Sequence, residues 1–256
     1  MSRQDELAAG LQEVRRRISN RTANAGRDTD PVLIVVTKFF PAADVAALAA
    51  LGVQDVGENR DQEASAKAAE TAEDPGCAGL RWHFIGQLQS NKAKSVVRYA
   101  YAVHSVDRPS VIKALNKAMA AEQQGRLEAG TGQRESMKCF IQVNLDEAGA
   151  ADQDTSTQRA VDRGGADPAD VLELATKIEK AEHLDLAGVM AVAPLGSDPD
   201  AAFARLADIS HRLRQTYPHA DAVSAGMSGD LEHAIRHGAT HLRVGSNVLG
   251  QRPGLR

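Results

Sequence analysis

Eight short apolar segments recur along this chain, and that repeat limits its fold more than any other feature. The first, VLIVVT at 32–37, is a continuous β-branched run opened by Pro31; the others are 53–56, 82–85, 101–106, 139–144, 186–192, 222–225 and 241–244. Continuous runs of this kind suit strands buried on both faces, as parallel sheets require. Between them lie Ala- and charge-rich helical stretches at 42–51, 59–70, 111–121, 171–181, 201–215 and 231–237. The repeat averages about 30 residues, the size of one βα unit. Eight such units in 256 residues predict one α/β domain over 1–256, a (β/α)8 TIM barrel. An open doubly wound sheet would carry a glycine fingerprint after strand one. Thr37-Lys38-Phe39-Phe40-Pro41 stands there instead. Residues 1–25 add an N-terminal helix, with Leu7, Leu11, Val14 and Ile18 at spacings of three and four.

Two segments fit no regular element. Residues 123–136 read as a polar extension of the fourth unit, and 146–168, rich in Asp, Gly, Ser and Thr, as a mobile loop at the barrel mouth. With aromatics at only 4%, the core must be built from Ala, Val, Leu and Ile. A net charge of −4 without a basic stripe argues against a nucleic-acid binder. Cys77 and Cys139 are too few for a disulfide scaffold and lack metal-ligand spacing. The first residues contain no apolar leader, and no run approaches the roughly 18 apolar residues of a membrane span. We therefore expect a cytoplasmic protein that binds neither nucleic acid nor membrane.

In such a barrel the active face is built from residues just after each strand. That rule selects Lys38, Gly57-Glu58-Asn59, Gly86-Gln87, Ser105, Asn144, Ala193-Pro194, Ser224 to Ser228 and Gly245-Ser246-Asn247. Lys38 shares a strand face with Val32, Ile34 and Val36, opposite Leu33 and Val35. An all-apolar strand leaves open which face points inward. If Lys38 points inward, its amine can serve as a Schiff-base nucleophile; if not, it is a solvated strand-end lysine. Holding it neutral near pH 7 costs roughly 4 kcal/mol, which burial or a nearby cation must supply.

The eighth strand is less ambiguous. Ala239, His241, Arg243 and Gly245 share one face, and the apolar Leu242 and Val244 the other. The apolar set should meet the outer helices, which points Arg243 into the barrel mouth. A buried guanidinium there needs a carboxylate, a phosphate or a ring acceptor. Gly245 and Ser246 open a short terminal segment at the place where such barrels hold phosphate. Met227 and Ser228 flank it, with Ser228 as expected N-cap of the next helix. Ser224 could be structural or functional. His233 and His237 have i, i+4 spacing but lack the neighbours of a zinc motif, so no metal site is expected.

Taken in order, TKFFP, VGEN, WHFIGQLQSNK, HSVD, VN, GVMAVAP, SAGMSGD and RVGSNVLG resemble the pyridoxal phosphate homeostasis proteins (YggS-type). Their barrel is similar to the N-terminal domain of alanine racemase. The match runs over 32–252. The resemblance implies that Lys38 carries pyridoxal 5′-phosphate (PLP) as a Schiff base. It further implies that Arg243 faces the pyridine nitrogen, that Met227, Ser228, Gly245 and Ser246 hold the phosphate, and that Asn59 lies beside the cofactor. The loop after strand five is longer than the family's usual one, with only Arg163-Gly164-Gly165 resembling it.

Racemases of the related fold use a second domain and an opposing tyrosine. The chain as read leaves no room for that domain, and Tyr99, Tyr101 and Tyr217 do not follow Lys38. We therefore expect a monomeric, non-enzymatic store or carrier of PLP, with apo PLP-dependent enzymes as recipients. The alternatives are a PLP-dependent racemase or lyase, and a lysine aldolase acting on a sugar phosphate.

Overall fold

The computed structural model describes residues 2–146 and 164–251. All eight expected strands are present, parallel and joined in chain order into one closed ring. They are β1 (Val32–Val36), β2 (Asp55–Glu58), β3 (Arg81–Phe84), β4 (Ala100–Val106), β5 (Met137–Gln142), β6 (Leu184–Met190), β7 (Ala222–Ser224) and β8 (His241–Val244). The ring closes where β8 pairs with β1, with His241 beside Val32 and Arg243 beside Ile34. Around it stand α1 (Arg3–Asn24), α2 (Ala42–Ala50), α3 (Asp61–Thr71), α4 (Ala93–Tyr99), α5 (Pro109–Glu128), α6 (Val171–Glu179), α7 (Pro199–Thr216), α8 (Leu231–Arg236) and the short α9 (Ser246–Leu249). The (β/α)8 barrel with an extra N-terminal helix is the architecture the repeat predicts. Among the described residues no helix is long and apolar enough to cross a membrane.

Three strands begin two residues away from their expected starts, for local reasons. Val53 does not open β2 because it completes the end of α2. Its N–H bonds Leu48 O at 3.0 Å and the Gly52 N–H bonds Ala49 O at 2.9 Å, with Gly52 at φ +79°. That pair of bonds is a Schellman cap, which needs the left-handed residue that glycine supplies. β5 and β6 lie two residues earlier than expected, and their ladder ends at Gln142 beside Met190. Val143 instead bridges Ala166. The first six residues of the polar 123–136 segment are helical, since α5 runs to Glu128. Pairs four apart support it, with Arg126 donating to Glu122 at 2.9 Å and Gln124 to Glu128 at 2.7 Å. Of the expected loop at 146–168, residues 147–163 lie outside the described residues.

The core has two parts. Outside the ring, aliphatics such as Val35, Val56, Leu48 and Leu242 fill the space beneath the helices. Inside it, a small cluster of Ala102, Phe140 and Met190 shares the space with buried His83, His104, Ser224 and Arg243. Phe140 stacks on His104, with ring centroids 4.1 Å apart, and meets His241 edge-on at 5.2 Å. The even residues of β1 face inward. A Cβ on Gly57 of β2 would lie 3.0 Å from Ile34 Cγ2 and 3.5 Å from Val36 Cγ2, while Val35 joins the outer core.

α1 buries the expected stripe of Leu7, Leu11, Val14 and Ile18. It starts with a capping box, in which the Ser2 side chain accepts from Asp5 N–H and the Asp5 side chain accepts from Ser2 N–H. The helix spans the barrel's seam. Arg3 pairs with Asp44 of α2 at 2.7 Å and donates to Leu249 O at 3.0 Å. Arg17 pairs with Glu232 of α8 at 2.7 Å. At Gly10 a Cβ would stand 2.6 Å from Val248 O, so only glycine allows this approach to α9.

The interior histidines predict how stability depends on pH. Burial holds His83 and His104 below the usual imidazole range and pushes His241 down to about 4. The unfolded chain then binds more protons than the native one as pH falls below about 6.5, so stability drops on that descent. His241 alone contributes up to about 3 kcal/mol. Glu58, raised by burial, works in the opposite direction and offsets part of this. The urea midpoint should therefore be clearly lower at pH 4.5 than at pH 7.5, and replacing His241 by Gln should flatten the difference.

Candidate functional site

β1 delivers Lys38 to the mouth through a strained turn. Thr37 N–H still bonds Gly57 O at 3.0 Å, and the chain then reverses with Phe40 N–H bonding Thr37 O at 3.0 Å. Phe39 sits at φ +72°, the one non-glycine residue with positive φ among those described. Such a conformation in a non-glycine residue costs of order 1–3 kcal/mol and needs outside support. The support is a buried cluster beneath the turn. Phe39 N–H donates to Glu63 Oε1 at 2.6 Å. Lys67 Nζ donates to Thr37 O, Glu58 Oε1 and Glu63 Oε1 at 2.9, 2.8 and 2.6 Å. Thr37 Oγ1 adds a bond to Glu58 Oε1 at 2.7 Å. Burial lifts the Glu58 carboxyl above its ordinary range against the pull of Lys67 and Thr37.

β8 delivers the second element. Arg243 is 4% exposed and donates through one terminal nitrogen to Ser224 Oγ at 2.6 Å and through the other to Ala191 O at 2.8 Å. Burial pushes its guanidinium down to about 10, with Asp230 acting in the other direction, so it is still a cation at neutral pH. Gly245 follows, where a Cβ would lie 3.1 Å from Val36 O. Ser246 Oγ then donates to Ser228 Oγ at 3.2 Å.

A pocket of about 290 Å³ opens between these strand ends. Lys38, Met227, Ser228, Arg243, Gly245 and Ser246 all line it. Ser224 lies below, behind Arg243. Asn59 lines a neighbouring pocket of about 540 Å³ with Arg60, Gln87 and Lys92, and its Oδ1 is buried without a hydrogen-bond partner.

Ser228 does not cap α8. Asp230 holds the N-cap position, and its Oδ1 accepts the Met227 N–H at 2.5 Å. The carboxylate reaches back across the turn, which leaves the Ser228 hydroxyl to Ser246. His233 and His237 bond Asp200 Oδ1 at 3.1 and 3.0 Å, fastening α8 to α7. No group of three or more metal-binding side chains occurs among the described residues. Sequence reasoning missed the Glu58–Lys67 cluster and the buried His83 and His104. The i, i+4 pair Glu63/Lys67 was visible in the sequence, but its burial was not.

The closed ring, with an amine, a guanidinium and paired hydroxyls at its β1/β8 seam, defines a barrel of the alanine racemase type. The family model described as "Alanine racemase, N-terminal domain" matches residues 10–253. A Mycobacterium tuberculosis (H37Rv) protein named pyridoxal phosphate homeostasis protein is 41% identical, over 98% of this chain and 94% of its own. The chain belongs to this family, the pyridoxal phosphate homeostasis proteins. PipY of Synechococcus elongatus PCC7942 has been solved without PLP (31% identity, TM-score 0.75, covering 95% of this chain and 100% of PipY). It has also been solved with PLP bound (32% identity, TM-score 0.69, covering 91% and 100%). An alanine racemase of Clostridium difficile 630, at 14% identity and TM-score 0.66, shares the fold over 98% of this chain and 60% of the racemase.

The cluster beneath Lys38 yields a test. Replacing Lys67 by Met strips two carboxylates and a carbonyl of their shared donor, and breaking buried pairs this way costs about 3–5 kcal/mol. Urea denaturation should show a loss of that size; a loss below about 1 kcal/mol would mean that the turn is held by other groups.

Proposed function

We propose that this chain binds PLP at the barrel mouth and acts as a cytoplasmic, monomeric store or carrier of it, handing it to apo PLP-dependent enzymes without a dedicated catalytic activity of its own. The observation that carries this reading is the convergence of Lys38, Arg243, Ser228 and Ser246 on one pocket. Each matches one part of the cofactor: an amine for its aldehyde, a cation for its ring nitrogen and two hydroxyls for its phosphate.

The residues fit the group. Gly245 leaves the backbone open where an anion must come close, since any side chain there would press on Val36 O. Ser228 and Ser246 stand 3.2 Å apart and can turn both hydroxyls toward a phosphate. The Met227 N–H is already given to Asp230, so the hydroxyls rather than that amide carry the phosphate in this reading. Lys38 Nζ provides the covalent anchor. Bound PLP supplies an electron-accepting ring. Arg243 would hold the ring nitrogen by donating to it, which would keep that nitrogen unprotonated and weaken the ring as an electron sink. Asn59, one pocket away, would border the cofactor on the β2 side.

Two observations favour storage over turnover. The described residues lining the Lys38 pocket include no carboxyl, imidazole or phenol that could act as a second acid or base. The curated relatives are named as homeostasis proteins.

The test uses borohydride fixation. Wild-type protein incubated with PLP, reduced with borohydride and passed through gel filtration should keep the label, and Lys38→Ala should lose essentially all of it. Label retained by Lys38→Ala would refute the anchor. Turnover of an amino acid by the purified protein, abolished in that variant, would refute the storage reading.

A further inference from the structure

A line of hydrogen bonds runs through the barrel from its base to Arg243. At the base, Arg81 grips Asp55 with bonds of 2.8 and 2.6 Å. Asp55 Oδ1 lies 2.9 Å from His83 Nε2, and His83 Nδ1 lies 2.9 Å from His104 Nε2. His104 Nδ1 lies 2.9 Å from Ser224 Oγ, which in turn takes the Arg243 bond at 2.6 Å. His83, His104 and Ser224 are 2%, 0% and 0% exposed, so no water competes along the line.

Elementary valence fixes every proton in it. Burial alone would raise the Asp55 carboxyl, yet His83 and Arg81 hold it below its ordinary range, so it is an anion and can only accept. His83 therefore carries its proton on Nε2, and as a neutral ring its Nδ1 must accept. His104 then donates from Nε2 and accepts at Nδ1. Ser224 consequently donates its own proton to His104, which turns the hydroxyl's lone pairs toward Arg243. The reverse arrangement would set a bare His83 nitrogen 2.9 Å from a carboxylate and leave the Ser224 proton without an acceptor. Only one direction satisfies all the groups.

We infer that Asp55, His83, His104 and Ser224 form a one-way hydrogen-bond relay that positions Arg243 for the ring of the bound cofactor. The inference rests on the PLP reading above for its purpose, though not for its geometry. The relay makes Ser224 a committed acceptor, and together with Ala191 O it fixes two nitrogens of the guanidinium. Arg243 also lines the pocket, and its remaining N–H groups are available to a ligand there. Asp55, His83 and His104 do not line that pocket; they are positioning residues acting through Ser224.

The test has two arms. In cofactor-free protein labelled with 15N-histidine, long-range proton–nitrogen correlation reads the tautomer of each ring. His83 and His104 should both be the Nε2–H form at neutral pH. Asp55→Asn removes the acceptor-only end, and Nδ1–H signals should then appear in both rings together. Ser224→Ala, cut at the other end, should leave both tautomers as in wild type. An Nδ1–H ring in wild type, or a His104 indifferent to Asp55→Asn, overturns the relay. The second arm measures PLP affinity. Asp55→Asn and Ser224→Ala should each weaken it about tenfold, and the double variant no further, because both interrupt one line. Additive losses overturn the positioning role. A wild-type protein that binds no PLP would sink the proposed function and with it the relay's purpose, while the tautomers would still decide the relay's geometry.

Discussion

Arg243 is a cation at neutral pH although it is almost wholly buried, and its described hydrogen bonds run to a hydroxyl and a carbonyl rather than to a carboxylate. Burying such a group is expensive unless its donors are met by well-placed acceptors. Meeting them organises the barrel interior. Ser224 can turn its lone pairs to the guanidinium because His104 takes its proton, and His104 can do so because His83 and Asp55 complete the line. Small side chains such as Ala102 and Ala222 leave room for these rings, with Phe140 stacked against one of them. The interior thus orients groups, while the aliphatic shell between strands and helices supplies the bulk of hydrophobic burial.

The two ends of the pocket are supported independently. Lys38 stands on a turn held by Lys67 and two glutamates on the β2–α3 side. Arg243 stands on a line that leaves through β7, β4 and β3. No hydrogen bond among those described joins the two supports. Lys38 and Arg243 are therefore each held by a separate set of partners, the kind of support that a binding site needs to keep its geometry.

The repeat of apolar segments was sufficient for the barrel because one βα unit has a characteristic length and a buried parallel strand a characteristic composition. Arg243 could be aimed from β8 alone, since HLRV alternates polar and apolar residues. Lys38 could not, because VLIVV is apolar on both faces, and only Gly57 packed against Ile34 shows which way it turns. Val53 read as strand because a helix cap also uses a hydrophobic residue. His83 and His104 escaped notice because their meeting depends on register, and the β3–β4 ladder slips between Trp82 and His83. The barrel rule and the family resemblance both pointed to Ser228 and Ser246, but neither foresaw that Asp230 takes the Met227 amide, a choice made by local turn geometry.

Lys38 follows the first strand of the ring and Arg243 lies on the last, roughly two hundred residues apart along the chain yet at the one pair of strands that closes it. The pocket as described depends on the pairing of β8 with β1, which sets Arg243 beside Ile34. Whatever occupies the pocket therefore selects the completed ring and acts as a clasp on it, adding to the brace that α1 lays across the same seam through Arg3 and Arg17. A ligand held at the point of closure would tie occupancy to lifetime: the empty barrel would be the more easily opened, and the loaded one would last.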